Sequence, residues 1–197
     1  MREMIKMVVV LTLLSCCSGG LLAAIQDNTQ DRIDSQVLKF VKGPAIQTIM
    51  EGASNNPIDD RFSLQVDDAE KNFFVGIFDG EPKVVAFETK GGGYGGDVGM
   101  MVAVNVQSGE IRGVSVTTHN ETPGLGARVE TNEEFKNQFQ GVPIGTETKV
   151  KADGGDISAI SGATVTSRAV CKAVQNAGKL YEKVKPQIKE KMASFSS

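Results

Sequence analysis

The sequence contains no tryptophan, a single histidine and only three cysteines. Cys16 and Cys17 are adjacent inside an apolar N-terminal run, and Cys171 lies far downstream in a helical pattern. No Cys-x-x-Cys pair exists and only His119 is there to join a cysteine, so neither a disulfide framework nor a zinc or iron–sulfur centre is expected. A lone buried cysteine most often serves as a small hydrophobe. The chain lacks a Gly-x-Ser-x-Gly elbow and any serine–histidine–aspartate spacing that would support a hydrolase. It also lacks an excess of one charge. The net charge is −3, and setting Arg2, Lys6 and Glu3 aside leaves 19 basic and 23 acidic residues in 26–197. Nucleic-acid binding needs clustered cations, so no nucleic-acid partner is expected. What is abundant is glycine, and its 22 residues are clustered, not periodic, as in tight loops.

Met7 to Ile25 is a run without a charge, preceded by Arg2 and Lys6. At 1.5 Å per residue a helix of this run spans about 28 Å, enough to cross a bilayer core. The basic flank on its N-terminal side places the N-terminus inside and the following domain outside. Residues 1–25 are therefore expected to be an uncleaved single-pass anchor in the cytoplasmic (inner) membrane, and residues 26–197 an extracytoplasmic domain. Two other readings stay open. A cleaved signal peptide would have only the poor site Leu21-Leu22-Ala23-Ala24-Ile25. A lipoprotein signal would use Leu13-Leu14-Ser15-Cys16, with an unusual leucine before Ser15.

Beyond the anchor, Asp34 to Gly52 has helical spacing, interrupted at Gly43-Pro44. The period then changes to that of strands. Asn72–Phe78 and Pro82–Thr89 flank the turn signal Asp79-Gly80, and Met100–Val106 and Ile111–Thr118 flank Gln107–Glu110. Four consecutive strands joined mostly by short turns predict an antiparallel meander, and with the helical segments an α+β fold in which helices flank the sheet. Glu133–Gln138 reads as a short helix, and Lys149–Lys151 and Ile157–Ile160 as edge strands. Thr164–Met192 reads as a long helix that Pro186 is expected to bend or restart.

Three segments have a composition suited to chemistry. Gly91-Gly92-Gly93-Tyr94-Gly95-Gly96 formally contains Gly-x-Gly-x-x-Gly, but a strand follows it where a dinucleotide site needs a helix. Two readings stay open: a flexible or tightly turning glycine loop that only joins strands, or one whose backbone, or Tyr94, approaches a ligand or partner. His119-Asn-Glu-Thr-Pro-Gly-Leu-Gly-Ala-Arg128 ends a strand and turns at Pro123-Gly124. His119 and Glu121 alone make only a weak acid–base pair, and a solvated loop end explains them as well. Ser158 to Arg168 packs five hydroxyls and small residues against a predicted helix start. Free amides and the helix dipole favour an anion such as phosphate there. An ordinary capped helix start accounts for the same residues.

The set occurs in a particular order: an anchor, GGGYGG before a strand, ETPGLG after one, and SGATVTSRAV opening a helix. It resembles the FMN-binding domain family over nearly the whole chain, most of all the G subunits of Rnf-type ion-translocating ferredoxin:NAD oxidoreductase complexes. The resemblance implies covalent FMN, held by a phosphoester from its ribityl phosphate to a threonine hydroxyl and attached by a flavin transferase using FAD and a divalent metal. The acceptor would be Thr164, preceded by Ser161, Gly162 and Ala163. Glu121, Thr122, Gly124, Leu125 and Gly126 would border the flavin, with Thr166 and Ser167 near the phosphate and Arg128 near negative charge. One position departs from the family pattern: Ser158 stands where aspartate is usual, with Asp156 two residues earlier. The implied function is electron relay between other Rnf-type membrane and redox subunits, with no complete activity in this chain alone and no metal of its own. A stand-alone anchored flavoprotein and a cofactor-free binding module are the alternatives.

Overall fold

The computed structural model describes residues 2–67 and 69–195. The chain divides into two units, one ending at Phe40 and one beginning at Val41.

The first unit is helix α1 (Arg2–Val37), which continues without a break past Ile25. Residues Arg2–Gln30 are long and apolar enough to cross a membrane. Val8, Leu11, Leu14, Leu21 and Leu22 are all exposed along it. The hydroxyls of Thr12 and Thr29 donate back to the carbonyls of Val8 and Ile25 at 2.8 and 2.7 Å, so each is satisfied inside the helix. A π-helical turn, Leu38–Lys42, follows.

In the second unit α2 (Gly43–Ile49) carries Pro44 in its first turn, where a missing N–H costs nothing. Five strands come next: β1 (Arg61–Val66), β2 (Ala69–Phe78), β3 (Glu81–Gly92), β4 (Asp97–Asn105) and β5 (Ile111–Thr118). They pair in chain order, each antiparallel to the last. The expected meander of four strands thus gains a fifth at its leading edge, where Phe62, Leu64 and Val66 alternate with polar residues. Asp79 and Gly80 both have positive φ, 54° and 77°, the geometry that lets a two-residue turn follow the strand twist.

Register sorts the side chains. Phe62, Phe73, Phe87, Val102 and Val114 are successive cross-strand partners on one face. That face is buried under α5 (Thr164–Ala193), with Val170, Val174, Tyr181 and Ile188 in the shared core. On the other face α2 packs against β4 and β5, where Gly113 leaves room for Ile49. Short helices α3 (Arg128–Thr131) and α4 (Glu133–Asn137) close one end, α4 capped by Asn132, whose side chain accepts the Phe135 amide at 2.9 Å. The two expected edge strands near Val150 and Ile157 reduce to one parallel bridge, because the chain between them is taken up by a 3₁₀ turn, Lys151–Asp153, and Gly154-Gly155.

Helix α5 lies very close to β3. A Cβ on Gly91 would be 2.1 Å from the Ala169 carbonyl oxygen. The Thr89 hydroxyl donates to the Ala173 carbonyl at 2.9 Å, and the Asn176 amide to the Lys90 carbonyl at 2.8 Å. These contacts fix the first turns of α5 beside the β3–β4 connection. Contrary to expectation, Pro186 does not restart the helix, which runs through it. Pro186 and Glu182 are both exposed, so the carbonyl deprived of its donor faces water.

Candidate functional site

The β3–β4 connection, Gly93–Gly96, closes on itself through a 2.8 Å bond from the Gly93 amide to the Gly96 carbonyl. The β5–α3 loop, 119–127, lies against it, and the start of α5 lies against both. One side chain joins the three. Glu121 is buried, and its Oε1 accepts the Gly95 amide at 2.8 Å while its Oε2 accepts the Thr166 hydroxyl. At positions 93 and 126 no side chain larger than hydrogen fits beside this carboxylate. A Cβ on Gly93 would stand 2.5 Å from Oε1, and one on Gly126 would stand 2.7 Å from Oε2. Burial pushes the Glu121 carboxyl up, but the Thr166 hydroxyl, the amides of Gly95 and Tyr94 and the nearby His119 together outweigh it. The group is held below the ordinary carboxylate range and stays ionised.

The start of α5 is left open. Its N-cap residue is Ala163, which offers no side-chain oxygen. The amides of Thr164, Val165 and Thr166 therefore have no intrahelical acceptor, the usual condition for anion binding at a helix N-terminus. The Thr164 side chain is half-buried and its hydroxyl has no hydrogen-bond partner among the described residues. Gly162 precedes it with φ 80°, a turn conformation that favours glycine. Ser167 is turned inward. Its hydroxyl accepts the Ile160 amide at 3.1 Å and donates to the Ala163 carbonyl at 2.9 Å, so it shapes the loop and does not face the groove.

An open groove of about 490 Å³ runs between the ETPGLG loop and this helix start. Glu121, Thr122, Leu125, Gly126, Gly162, Ala163, Thr164 and Thr166 line it. Tyr94 and Val165 complete the wall, while Ser161 and Gly124 lie outside it. Arg128 begins α3, exposed and away from the groove. The weak acid–base reading of His119 with Glu121 is not what the geometry holds. His119 Nδ1 accepts the Glu121 backbone amide at 3.3 Å and Nε2 faces Glu130 at 3.3 Å, while the Glu121 carboxylate points the other way.

Ser158 is held by its backbone. The Gln138 side chain accepts its amide at 2.7 Å and donates to its carbonyl at 3.2 Å. Asp156 is exposed and lies just before the bridge at Ile157. Neighbouring Asp153 forms two 2.7 Å bonds with Arg168 in α5. The hydrogen bond from Arg168 and its charge hold the Asp153 carboxyl below its ordinary value.

The FMN-binding domain family matches residues 93–179, from the glycine loop to the middle of α5. The G subunit of the ion-translocating oxidoreductase complex of Shewanella baltica is 31% identical over 188 residues, covering 89% of this chain and 88% of that protein. Its counterpart in Pseudomonas aeruginosa is 31% identical over 194 residues, covering 92% and 90%. The chain belongs to this G-subunit family. Among solved structures, the C subunit of the Na(+)-translocating NADH-quinone reductase of Parabacteroides distasonis aligns with a TM-score of 0.51 at 28% identity. That alignment covers 59% of this chain and 63% of the other, just under two thirds of its length. NqrC of Shewanella oneidensis shares the fold, with a TM-score of 0.52 over 71% of this chain and 72% of that one at 24% identity.

The groove suits the ligand after which the domain family is named. Its volume lies within the range of about 300–1,000 Å³ usual for small-molecule sites. One end has the geometry of an anion site: uncapped helix amides beside the Thr164 hydroxyl, which is unpartnered among the described residues. It also has an apolar rim, formed by Tyr94, Leu125 and Val165, which are 78%, 50% and 45% exposed.

Proposed function

We propose that this protein is a membrane-anchored electron-transfer subunit of an Rnf-type ion-translocating oxidoreductase complex, with FMN covalently bound to Thr164. The observation that carries the reading is the Thr164 hydroxyl, which is unpartnered among the described residues, stands at an uncapped helix start and opens on a groove of flavin size. In attachment, a flavin transferase binds FAD, and Thr164 Oγ attacks the phosphorus on the FMN side. The new O–P bond forms as the pyrophosphate bond breaks, AMP leaves, and the hydroxyl proton passes to solvent. The amides of Thr164, Val165 and Thr166 would then neutralise the phosphate, as helix N-termini do. Leu125 and Val165 would shield the ring, and Glu121 would keep the surrounding loops in register.

FMN in this site would supply reversible electron transfer; the protein supplies its position and electrostatic surroundings. An open groove with no acid–base pair aimed into it suits relay between redox partners better than conversion of a substrate held by this chain alone. Anchoring by α1 with the domain on the extracytoplasmic side gives the covalent bond a purpose, since a cofactor lost there would be lost to the cell. The partners are the other membrane and redox subunits of the complex.

The test is co-expression with a flavin transferase followed by denaturing electrophoresis. The wild-type band is expected to fluoresce and its intact mass to rise by the mass of the attached FMN. Thr164→Val is expected to lose both signals, and a fluorescent T164V band would overturn the assignment.

A further inference from the structure

Tyr94 is the most exposed large hydrophobic side chain of the compact unit among the described residues. It is 78% exposed, although aromatic residues of this fold are otherwise mostly gathered in the core. Its backbone is held firmly. The Gly93 amide bonds the Gly96 carbonyl, and the Gly95 amide bonds Glu121, each at 2.8 Å. Its two neighbours must be glycine on steric grounds, since a Cβ on Gly93 or Gly95 would lie 2.5 Å from Glu121 Oε1 or 2.0 Å from the Asn120 carbonyl oxygen. A loop packed this tightly thus presents a single side chain. That side chain lines the same groove as Thr164, facing an apolar rim of Leu125 and Val165. A fixed aromatic ring at the mouth of an apolar groove suits a flat, aromatic ligand, because offset or edge contacts with such a ring favour it over an aliphatic one.

We propose that Tyr94 is the aromatic wall of the flavin groove, its ring lying against the isoalloxazine of bound FMN. The inference rests on the assignment of FMN to Thr164. It makes Tyr94 a cofactor-contacting residue and gives the glycines around it a purpose: they let the loop backbone close on Glu121 so that the ring is delivered to the groove.

The composition of the chain makes this testable without an activity assay. A phenol or indole in contact with an excited flavin donates an electron and takes it back, so the emission is quenched with no net chemistry. The chain has no tryptophan, and its second tyrosine, Tyr181, is on the inner face of α5, fully buried and stacked on Phe87. Tyr94 is therefore the single such donor lining the groove among the described residues. The experiment uses full-length flavinylated protein in detergent, wild type, Tyr94→Phe and Tyr94→Ala. Each is first shown by denaturing electrophoresis to carry flavin. The native wild type is expected to have a short flavin fluorescence lifetime. Tyr94→Phe, which keeps the ring and removes the oxidisable phenol, is expected to lengthen it several-fold with an unchanged bimolecular rate constant for quenching by added iodide. Tyr94→Ala is expected to lengthen it and also to raise that bimolecular rate constant, because the cover is gone. Flavinylated Tyr94→Phe with the wild-type lifetime would overturn the role of Tyr94 while leaving the FMN assignment intact. A wild-type chain that takes up no flavin would overturn both.

Discussion

Glu121 shows how one residue can order a site without facing its ligand as a reactive group. Its carboxylate receives donors from the glycine loop and from α5, so removing it unties both from the loop that lies between them. Glu121→Ala leaves the Gly95 amide and the Thr166 hydroxyl without their acceptor. The Thr166 hydroxyl is buried, whereas Gly95 is exposed, and a buried unsatisfied group costs about 1–3 kcal/mol, so a loss of that size is expected in urea denaturation at neutral pH. Glu121→Gln keeps the shape and removes the charge. Because the folded carboxyl sits below its ordinary value of 4.5, its contribution is present above that value and fades as pH falls through the lower, folded one. The stability gap between wild type and Glu121→Gln is therefore expected to be full at neutral pH and to close in acid. A gap that is constant with pH would mean the charge contributes nothing. From the residues alone, Glu121 was readable only as a loop end with His119, and the family resemblance made it a neighbour of the flavin; neither gave its hydrogen-bond partners. The bonds to Gly95 and Thr166 join residues 26 and 45 positions away, and no local pattern encodes such a separation.

Elements were legible to the extent that their signals were local. The turns at Asp79-Gly80 and Gly109, the strand Ile111–Thr118 and the start of α5 at Thr164 all lie where dipeptide and periodicity place them. Strand β1 went unread because its alternating Phe62, Leu64 and Val66 follow the Asn- and Asp-rich loop without a turn signal of their own. The continuation of α5 through Pro186 was not readable either, since it depends on which side of the helix meets water. Tyr94 could be seen in the sequence, but which way it faced could not. The close approach of α5 to β3 was also hidden: Gly91 and Gly92 are alike in sequence and differ in what lies above them. A Cβ on Gly91 meets backbone atoms of Ala169 and Ala173, whereas one on Gly92 meets nothing within 4 Å. Gly91→Ala is thus expected to destabilise by about 1–3 kcal/mol or more, the cost of overpacking against atoms that cannot swing away. Gly92→Ala is expected to be close to neutral in the same denaturation series. Equal effects would show that α5 does not rest on β3 as described. Since that contact also sets where Thr164 stands, Gly91→Ala is expected to lower the yield of flavinylated protein and Gly92→Ala to leave it unchanged.

At the scale of the whole molecule, the proposed function depends on which side of the membrane the compact unit occupies. Arg2 and Lys6 lie before the apolar run, while Arg32, Lys39 and Lys42 lie after it, so a simple count of nearby cations does not favour the proposed orientation. The rule is strongest for short flanks, and a long following domain is translocated largely regardless of its charge. The orientation should then depend on Arg2 and Lys6 holding the short N-terminus inside. Alkaline phosphatase fused to the C-terminus is expected to be active in cells, and a green fluorescent protein fused there by the general secretory route is expected to be dark. Changing Arg2 and Lys6 together to Glu is expected to reverse part of the population, seen as phosphatase activity falling and fluorescence rising. A fluorescent wild-type fusion would place the Thr164 groove in the cytoplasm. Phosphatase activity in the soluble fraction, on a chain shortened by the length of the apolar run, would identify α1 as a removed signal and leave the domain without its anchor.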